Sequence, residues 1–250
     1  MNQTIRLNKY LQECGLCSRR AADEMIREGR VTIDGRAAQL GEKITSGETD
    51  VRVDGEPVSA CSERVVLAVY KPVGIVCTED KRERDNIIDF LHYPGRVTYA
   101  GRLDKNSEGL LIMTNDGDLI ERMTRGRNAH EKEYEVTVDR DLRAADLEQM
   151  AGGVPIRVQE RRAREDGAGV QTRSDKTVTT GPCQIRQTGA RTFDIVLTQG
   201  LNRQIRKMCA HFGYEVTALK RVRVMSVALG DLAPGEWRAL SAEELAELDG

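Results

Sequence analysis

The hydrophobic positions of this chain switch between two periods, and the switches mark its elements. Near the start, Leu7, Tyr10 and Leu11 recur at helical spacing, and Gly15 stands where that helix has to end. Ser18 then reads as the N-cap of a second helix carrying Ala21, Ala22, Met25 and Ile26 on one side, with Gly29 terminating it. The alternation Val31-Thr32-Ile33 followed by Asp34-Gly35 predicts a short strand entering a tight turn. Val51 to Val53 and Pro57-Val58 complete this small helical module, and Ser59 to Glu63 read as a linker.

From Arg64 the pattern alternates repeatedly between strand and helix. The unbroken apolar run Val65 to Tyr70 predicts a strand buried on both faces, ended by Pro72 and Gly74. Val97 to Ala100 and Leu110 to Met113 read as strands flanking a polar loop, and Asn115-Asp116-Gly117 as a turn. Further strands are predicted at Tyr134 to Val138, Phe193 to Leu197 and Val222 to Val227. Between Asn202 and Phe212, the residues Ile205, Met208, Cys209 and Phe212 form an apolar helical stripe, and Gly213 is its stop. Ser241-Ala242-Glu243-Glu244 is a capping box that opens a final helix. Many strands with a few helices among them give an α+β class. The expected division is residues 1–58, a linker at 59–63, and a larger domain at 64–250.

Composition narrows the setting. The chain is 39% hydrophobic and 31% charged with 6 prolines, as in a folded soluble protein. The first residues carry no apolar signal region, and the Val65–Tyr70 run is too short to span a bilayer, so no membrane role and a cytoplasmic location are expected. The 6 cysteines are scattered and read as reduced thiols. Cys14 and Cys17 have metal-like spacing but no second ligand pair, so packing thiols are expected and no metal. The net charge of −2 hides an uneven distribution. Arg186, Arg191, Arg203, Arg206, Lys207, Lys220, Arg221 and Arg223 are opposed locally only by Asp194 and Glu215. A positive surface of this kind suits RNA, and equally a solvated charged face. Arg6, Lys9, Arg19, Arg20, Arg27 and Arg30 raise the same pair of readings in the N-terminal module.

The loop Gly101-Arg102-Leu103-Asp104-Lys105-Asn106-Ser107-Glu108-Gly109 offers one carboxylate beside a guanidinium, between glycines that permit sharp turns. By itself Asp104 fits a turn or an ion pair as well as a catalyst.

Motifs lift that ambiguity. Arg6-Leu7-Asn8-Lys9-Tyr10-Leu11, Gly15 through Ala22, Ile26 and Gly29-Arg30-Val31 resemble an S4 RNA-binding domain. Gly101-Arg102-Leu103-Asp104 with Ser107-Glu108-Gly109-Leu110-Leu111 resembles the catalytic motif of pseudouridine synthases. Lys71-Pro72-Val73-Gly74, Lys132-Glu133-Tyr134 and Gly200 through Met208 are similar to that family's other motifs, in its order. The arrangement resembles the RsuA-like branch, on the side that acts on large-subunit (23S) ribosomal RNA. The resemblance implies an S4 (αL-like) domain at residues 1–58 and a mixed, largely antiparallel-sheet synthase domain at 64–250. It implies a cofactor-free, metal-free isomerisation of uridine to pseudouridine, by a monomer, on rRNA that is free or in an assembly intermediate. Asp104 would initiate, as nucleophile at C1′ or as base at the ribose. Arg206 would pair with Asp104 and keep it ionised. Tyr134 would stack on the detached uracil and take the C5 proton, and Ile205 would cover the other side of the ring. Arg102 would fill the gap left by the flipped base. Lys71 would support the loop or contact backbone phosphate. Arg203 and Lys207 would join the N-terminal basic residues in binding RNA. A non-catalytic S4-type RNA-binding protein is the rival reading. A glycoside hydrolase is a lesser one, since it calls for paired carboxylates and only Glu108 stands near.

Overall fold

The computed structural model describes residues 4–45, 47–58, 63–125, 129–162 and 172–249. Its contacts divide the chain into two units. The first comprises Met1–Val65 with Tyr93–Thr98 and Thr114–Gly117; the second comprises the remainder. Cys61 and the 59–62 stretch of the expected linker lie outside the described residues.

The first unit begins with β1 (Thr4–Arg6), α1 (Leu7–Glu13) and α2 (Arg19–Arg27). It continues through β2 (Val31–Ile33), β3 (Arg36–Ala37), β4 (Lys43–Thr45), β5 (Val51–Val53) and β6 (Glu56–Pro57). Glycine stops end both helices: Gly15 and Gly29 have φ of 76° and 72°. Just past Gly29, the Arg30 amide returns to Met25 O at 3.0 Å, satisfying a carbonyl the helix leaves open. Ser18 Oγ accepts from the Ala21 amide at 3.2 Å, the expected N-cap. Asp34 and Gly35 take the left-handed pair that turns β2 into β3, and Asp54 and Gly55 do the same between β5 and β6. The four-stranded order is β3-β2-β5-β6, with β1 and β4 forming a separate pair. Leu7, Leu11, Ala22, Ile26, Val31, Ile33 and Val51 form the core, and Cys14 and Cys17 pack half-buried against it.

The second unit is built on a mixed sheet. Its strands are β7 (Val66–Lys71), β8 (Thr98–Tyr99), β9 (Glu108–Thr114), β10 (Lys132–Val138), β11 (Pro155–Arg162), β12 (Thr172–Thr179), β13 (Gln184–Gln187), β14 (Thr192–Leu197), β15 (Val216–Val224), β16 (Val227–Ala228) and β17 (Trp237–Ala239). The main path is β13-β14-β10-β15-β9-β7-β17, and β11 pairs with β12 apart from it. Pairing is antiparallel from β13 to β15, but β15 meets β9 in parallel, with Lys220 opposite Glu108 and Arg221 opposite Gly109. The helices are α3 (Ile87–Leu91), α4 (Gly117–Thr124), α5 (Ala144–Gly152), α6 (Gln204–His211) and α7 (Ala242–Asp249).

Every residue of β7 is buried, as the run Val65–Tyr70 predicts. Two apolar clusters flank the sheet. One gathers Val136, Phe193, Ile195, Ile205, Met208 and Cys209; the other gathers Ala68, Leu110, Ile112, Leu119 and Val227. The stripe of α6 enters the first of these. The capping box of α7 closes reciprocally: the Glu244 amide donates to Ser241 Oγ (3.2 Å) and the Ser241 amide to Glu244 Oε2 (2.9 Å).

Three expectations need correcting. Asn115-Asp116-Gly117 is not an isolated turn but leads straight into α4. The strand expected at Val222 to Val227 begins at Val216, and Met225, left-handed at φ 53°, turns it back into β16. The positive stretch from Arg186 to Arg223 is partly neutralised, because Arg186 pairs with Asp194 (2.6 Å), Lys220 with Glu135 (3.7 Å) and Arg223 with Glu131 and Glu133 (3.1 and 2.8 Å).

Candidate active site

The loop bearing Asp104 lies between β8 and β9. The Ser107 amide donates to Asp104 O at 3.1 Å, so Asp104 opens a tight turn, and its side chain is about one-third exposed. The Gly74 amide donates to Lys105 O (2.8 Å), which ties the turn to the loop that follows β7. Gly109, with φ 102°, lets β9 approach β15: a Cβ there would lie 2.2 Å from Arg221 O.

The turn borders a cavity of about 570 Å³, within the range of small-molecule sites. Asp104 and Arg102 line one side, Tyr134 of β10 and Ile205 of α6 others, with Leu219, Arg221 and Leu201 completing much of the wall. Tyr134 is half-buried and sits beside a break in register between β10 and β15, which re-aims the strand at this point. Ile205 is buried at 4% exposure, while Arg102 is exposed. Asp104, Arg102, Tyr134 and Ile205, separated widely in sequence, therefore line one space.

Arg206 differs from its expected contact. Its Nη2 donates to Asn106 O (2.6 Å) and Ser107 Oγ (3.4 Å), and its Nη1 to Val216 O (2.9 Å). It clamps the backbone of the Asp104 turn to the start of β15. Burial and the neighbouring Arg203 push its pKa down from the ordinary guanidinium value, while the field of Asp104 opposes them. The ion pair to Asp104 among the described residues comes instead from Arg203, whose Nη1 lies 3.9 Å from Oδ2. Arg203 precedes α6 in a left-handed conformation, φ 53° and ψ 37°, an uncommon geometry for a non-glycine residue and one that recurs at functional sites.

Lys71 is wholly buried in this fold. Its Nζ donates to Pro72 O at 2.7 Å, and burial pulls its pKa down to about 8 against the favourable fields of Cys77, Glu108 and Asp104. Arg221, 3% exposed, donates through Nε to Leu110 O at 2.7 Å. Cys77 Sγ accepts from the Leu103 amide at 3.5 Å, next to Asp104 in the chain. Tyr70 Oη donates to Glu108 Oε2 at 3.0 Å, and burial with that carboxylate pushes its pKa up to about 12. Glu108 is thus occupied in bracing the sheet. Sequence patterns give no sign of these buried polar groups, because lysine and arginine are ordinarily surface residues.

Of the other basic residues, Arg6, Arg19, Arg20 and Arg27 are exposed, and Lys207 is half-buried on α6. Lys9 pairs with Glu13 at 3.5 Å. Arg30 is held by both carboxylate oxygens of Asp54 (2.9 and 2.6 Å) and by Glu28 (3.3 Å), so its charge is already answered within its own unit.

A cavity whose described lining has one carboxylate, Asp104, and one phenol ring, Tyr134, suits chemistry on a flat heterocycle. Comparison with known proteins agrees. The family described as RNA pseudouridylate synthase matches residues 65–211, and the S4 domain matches residues 5–50. The dual-specificity RNA pseudouridine synthase RluF of Escherichia coli (strain K12) is 43% identical over 249 residues, covering 99% of this chain and 79% of the relative. An uncharacterized RNA pseudouridine synthase of Aquifex aeolicus (strain VF5) is 33% identical over 253 residues, covering 98% and 96%. A crystal structure of a pseudouridylate synthase aligns with a TM-score of 0.64 at 27% identity, over 98% of this chain and 99% of that one. With three of its motifs lining one cavity and likeness running nearly end to end, this chain belongs to the RNA pseudouridine synthases and carries an S4 domain before its catalytic region.

Proposed function

We propose that the protein isomerises a specific uridine of 23S ribosomal RNA, as a cytoplasmic monomer acting on free rRNA or an assembly intermediate. The observation that carries this is the Asp104 turn at a cavity walled by Tyr134 and Ile205. The target base leaves its stack to enter, at a cost of a few kcal/mol, and Arg102, exposed at the rim, fills the space it vacates. Asp104 initiates at the ribose. The C1′–N1 bond breaks, the uracil turns while held between Tyr134 and Ile205, C5 bonds to C1′, and the C5 proton leaves to Tyr134 while N1 gains one. Atoms balance without water or a redox partner. Arg203 supplies the countercharge to Asp104, and Arg206 fixes the turn that aims it. Lys71 holds the Pro72 carbonyl, in the loop whose Gly74 amide donates to Lys105 O of the same turn.

Arg6, Lys9, Arg19, Arg20, Arg27 and Arg30 provide phosphate contacts from residues 1–58, with Arg203 and Lys207 doing so near the site; Arg30 contributes least, being already paired. Residues 64–250 make up the catalytic domain, joined through 59–63.

Mapping pseudouridines in cells that lack the protein tests the target, and purified Asp104→Asn tests the chemistry. The expected results are loss of a 23S site in the cells, and RNA binding without turnover by the variant. A lost site confined to small-subunit rRNA sinks the 23S assignment; normal turnover by Asp104→Asn sinks the mechanism.

A further inference from the structure

A second cavity, of about 850 Å³, lies in the same unit and belongs to no step above. Its walls are Val73 of the loop after β7, Asn106 and Glu108 of the catalytic turn and β9, Arg203, Arg206 and Ala210 around α6, and the stretch Tyr214–Leu219. The turn divides between the two spaces: Asp104, Lys105 and Ser107 line the first, Asn106 and Glu108 the second. Arg203 lines both.

The second wall sets an open apolar side chain and two guanidinium groups beside the carboxylates of Glu108 and Glu215. Val73 is 56% exposed, an apolar side chain left open beside arginines. Ala210 and Ala218 are exposed and small, so they leave room rather than fill it. Among the described residues, the buried Arg206 Nε has no hydrogen-bond partner although its other nitrogens are engaged. A single-stranded base needs one apolar or planar face and a few polar groups at its edge, and guanidinium planes serve as that face.

We propose that this cavity takes the base of a nucleotide adjacent to the target uridine, with Arg203 on the phosphate that joins the two. The inference rests on the RNA-modifying reading above and extends it to sequence context. Arg203 lines both cavities, so one guanidinium can contact a phosphate between a uridine in the first and a base in the second, beside Val73, Ala210 and Ala218. The pocket therefore reads the neighbour, and the enzyme recognises at least a dinucleotide rather than a lone uridine.

The test uses the full chain and stem-loop RNAs centred on the mapped uridine, with the 5′ or the 3′ neighbouring base intact or replaced by an abasic ribose. With the native protein, removing the base on one side is expected to lower kcat/KM about tenfold. Ala218→Trp, which fills the cavity from an exposed strand position, is expected to slow the intact RNA by a similar factor and to leave the abasic RNA unchanged. Ala210→Trp reaches the same space from α6 and serves if the strand variant is misfolded. Equal native rates on intact and abasic RNAs at both positions overturn the proposal, as does equal slowing of both RNAs by the Trp variants. If the native protein forms no pseudouridine on any of these RNAs, the functional reading itself fails with it.

Discussion

Replacing Gly109 with alanine should damage the protein out of proportion to a single methyl group. The residue sits at φ 102°, where an L side chain is strained, and its Cβ would stand 2.2 Å from Arg221 O, 2.7 Å from Arg221 N and 3.0 Å from Arg221 C. All three are backbone atoms of the parallel partner strand, so no side chain can swing aside. Relief requires β15 to retreat from β9 by about 1 Å, beyond the tolerance of a close-packed interior. That retreat pulls on the buried Arg221, whose Nε bond to Leu110 O is 2.7 Å long. The backbone strain costs about 1–3 kcal/mol, and an impaired buried hydrogen bond to a charged group about 1.5–3 kcal/mol. Together these give about 2.5–6 kcal/mol, which for a chain of this size lowers Tm by roughly 5–24 °C. Gly101→Ala is the control: its φ is 85°, yet nothing lies within 4 Å of its Cβ position. Calorimetry and urea unfolding of both variants separate strain from collision. If the two lose equal stability, the close approach of β9 to β15 is not what demands glycine.

Arg206→Lys should lower kcat about 10- to 100-fold with KM nearly unchanged, since one ammonium cannot hold the Asn106 and Val216 carbonyls together; a change confined to KM would point to phosphate binding instead. Lys71→Met tests a buried charge. Because the folded-state pKa is depressed to about 8 from 10.5, the native protein gives up this proton before the unfolded chain does, so stability owed to Lys71 rises between those pH values. The stability gap between Lys71→Met and the native protein should therefore move by up to ~3 kcal/mol in favour of the native protein from pH 8 to 10.5, and a gap that stays constant in urea titrations refutes it. Ser241→Ala removes the cap of α7, which anchors the buried Leu248, and should cost about 1 kcal/mol, or roughly 2–4 °C in Tm.

What the sequence discloses follows from local chemistry. Glycine stops, the Ser18 and Ser241 caps and the uniformly apolar β7 depend on neighbouring residues, and each is where its pattern puts it. The start of β15 was hidden, because Val216 to Arg221 mixes charged and apolar residues without clean alternation and lies beside β9 from far upstream. Helix α5 was hidden too: its N-cap position is Arg143, which makes no side-chain cap. In the site, the motifs disclose which residues meet but not how they touch. Arg203 lies against Asp104 because of a left-handed backbone that arginine does not advertise. Arg206, expected on the carboxylate, is taken by backbone carbonyls that no residue pattern encodes. Lys71 and Arg221 show the same limit, being buried charged residues whose partners are peptide oxygens.

The Asp104 turn is fastened in part by residues that follow it by about a hundred positions: Arg206 on Asn106, and Arg221 against Gly109 and Leu110. During synthesis Asp104 leaves the ribosome long before either arginine exists. The nascent chain can thus fold its first helices and strands while its chemistry stays unarmed, and competence arrives late, as β15 takes its place beside β9. A truncated product of stalled translation would carry Asp104 and the S4 domain yet lack the clamp that shapes the turn.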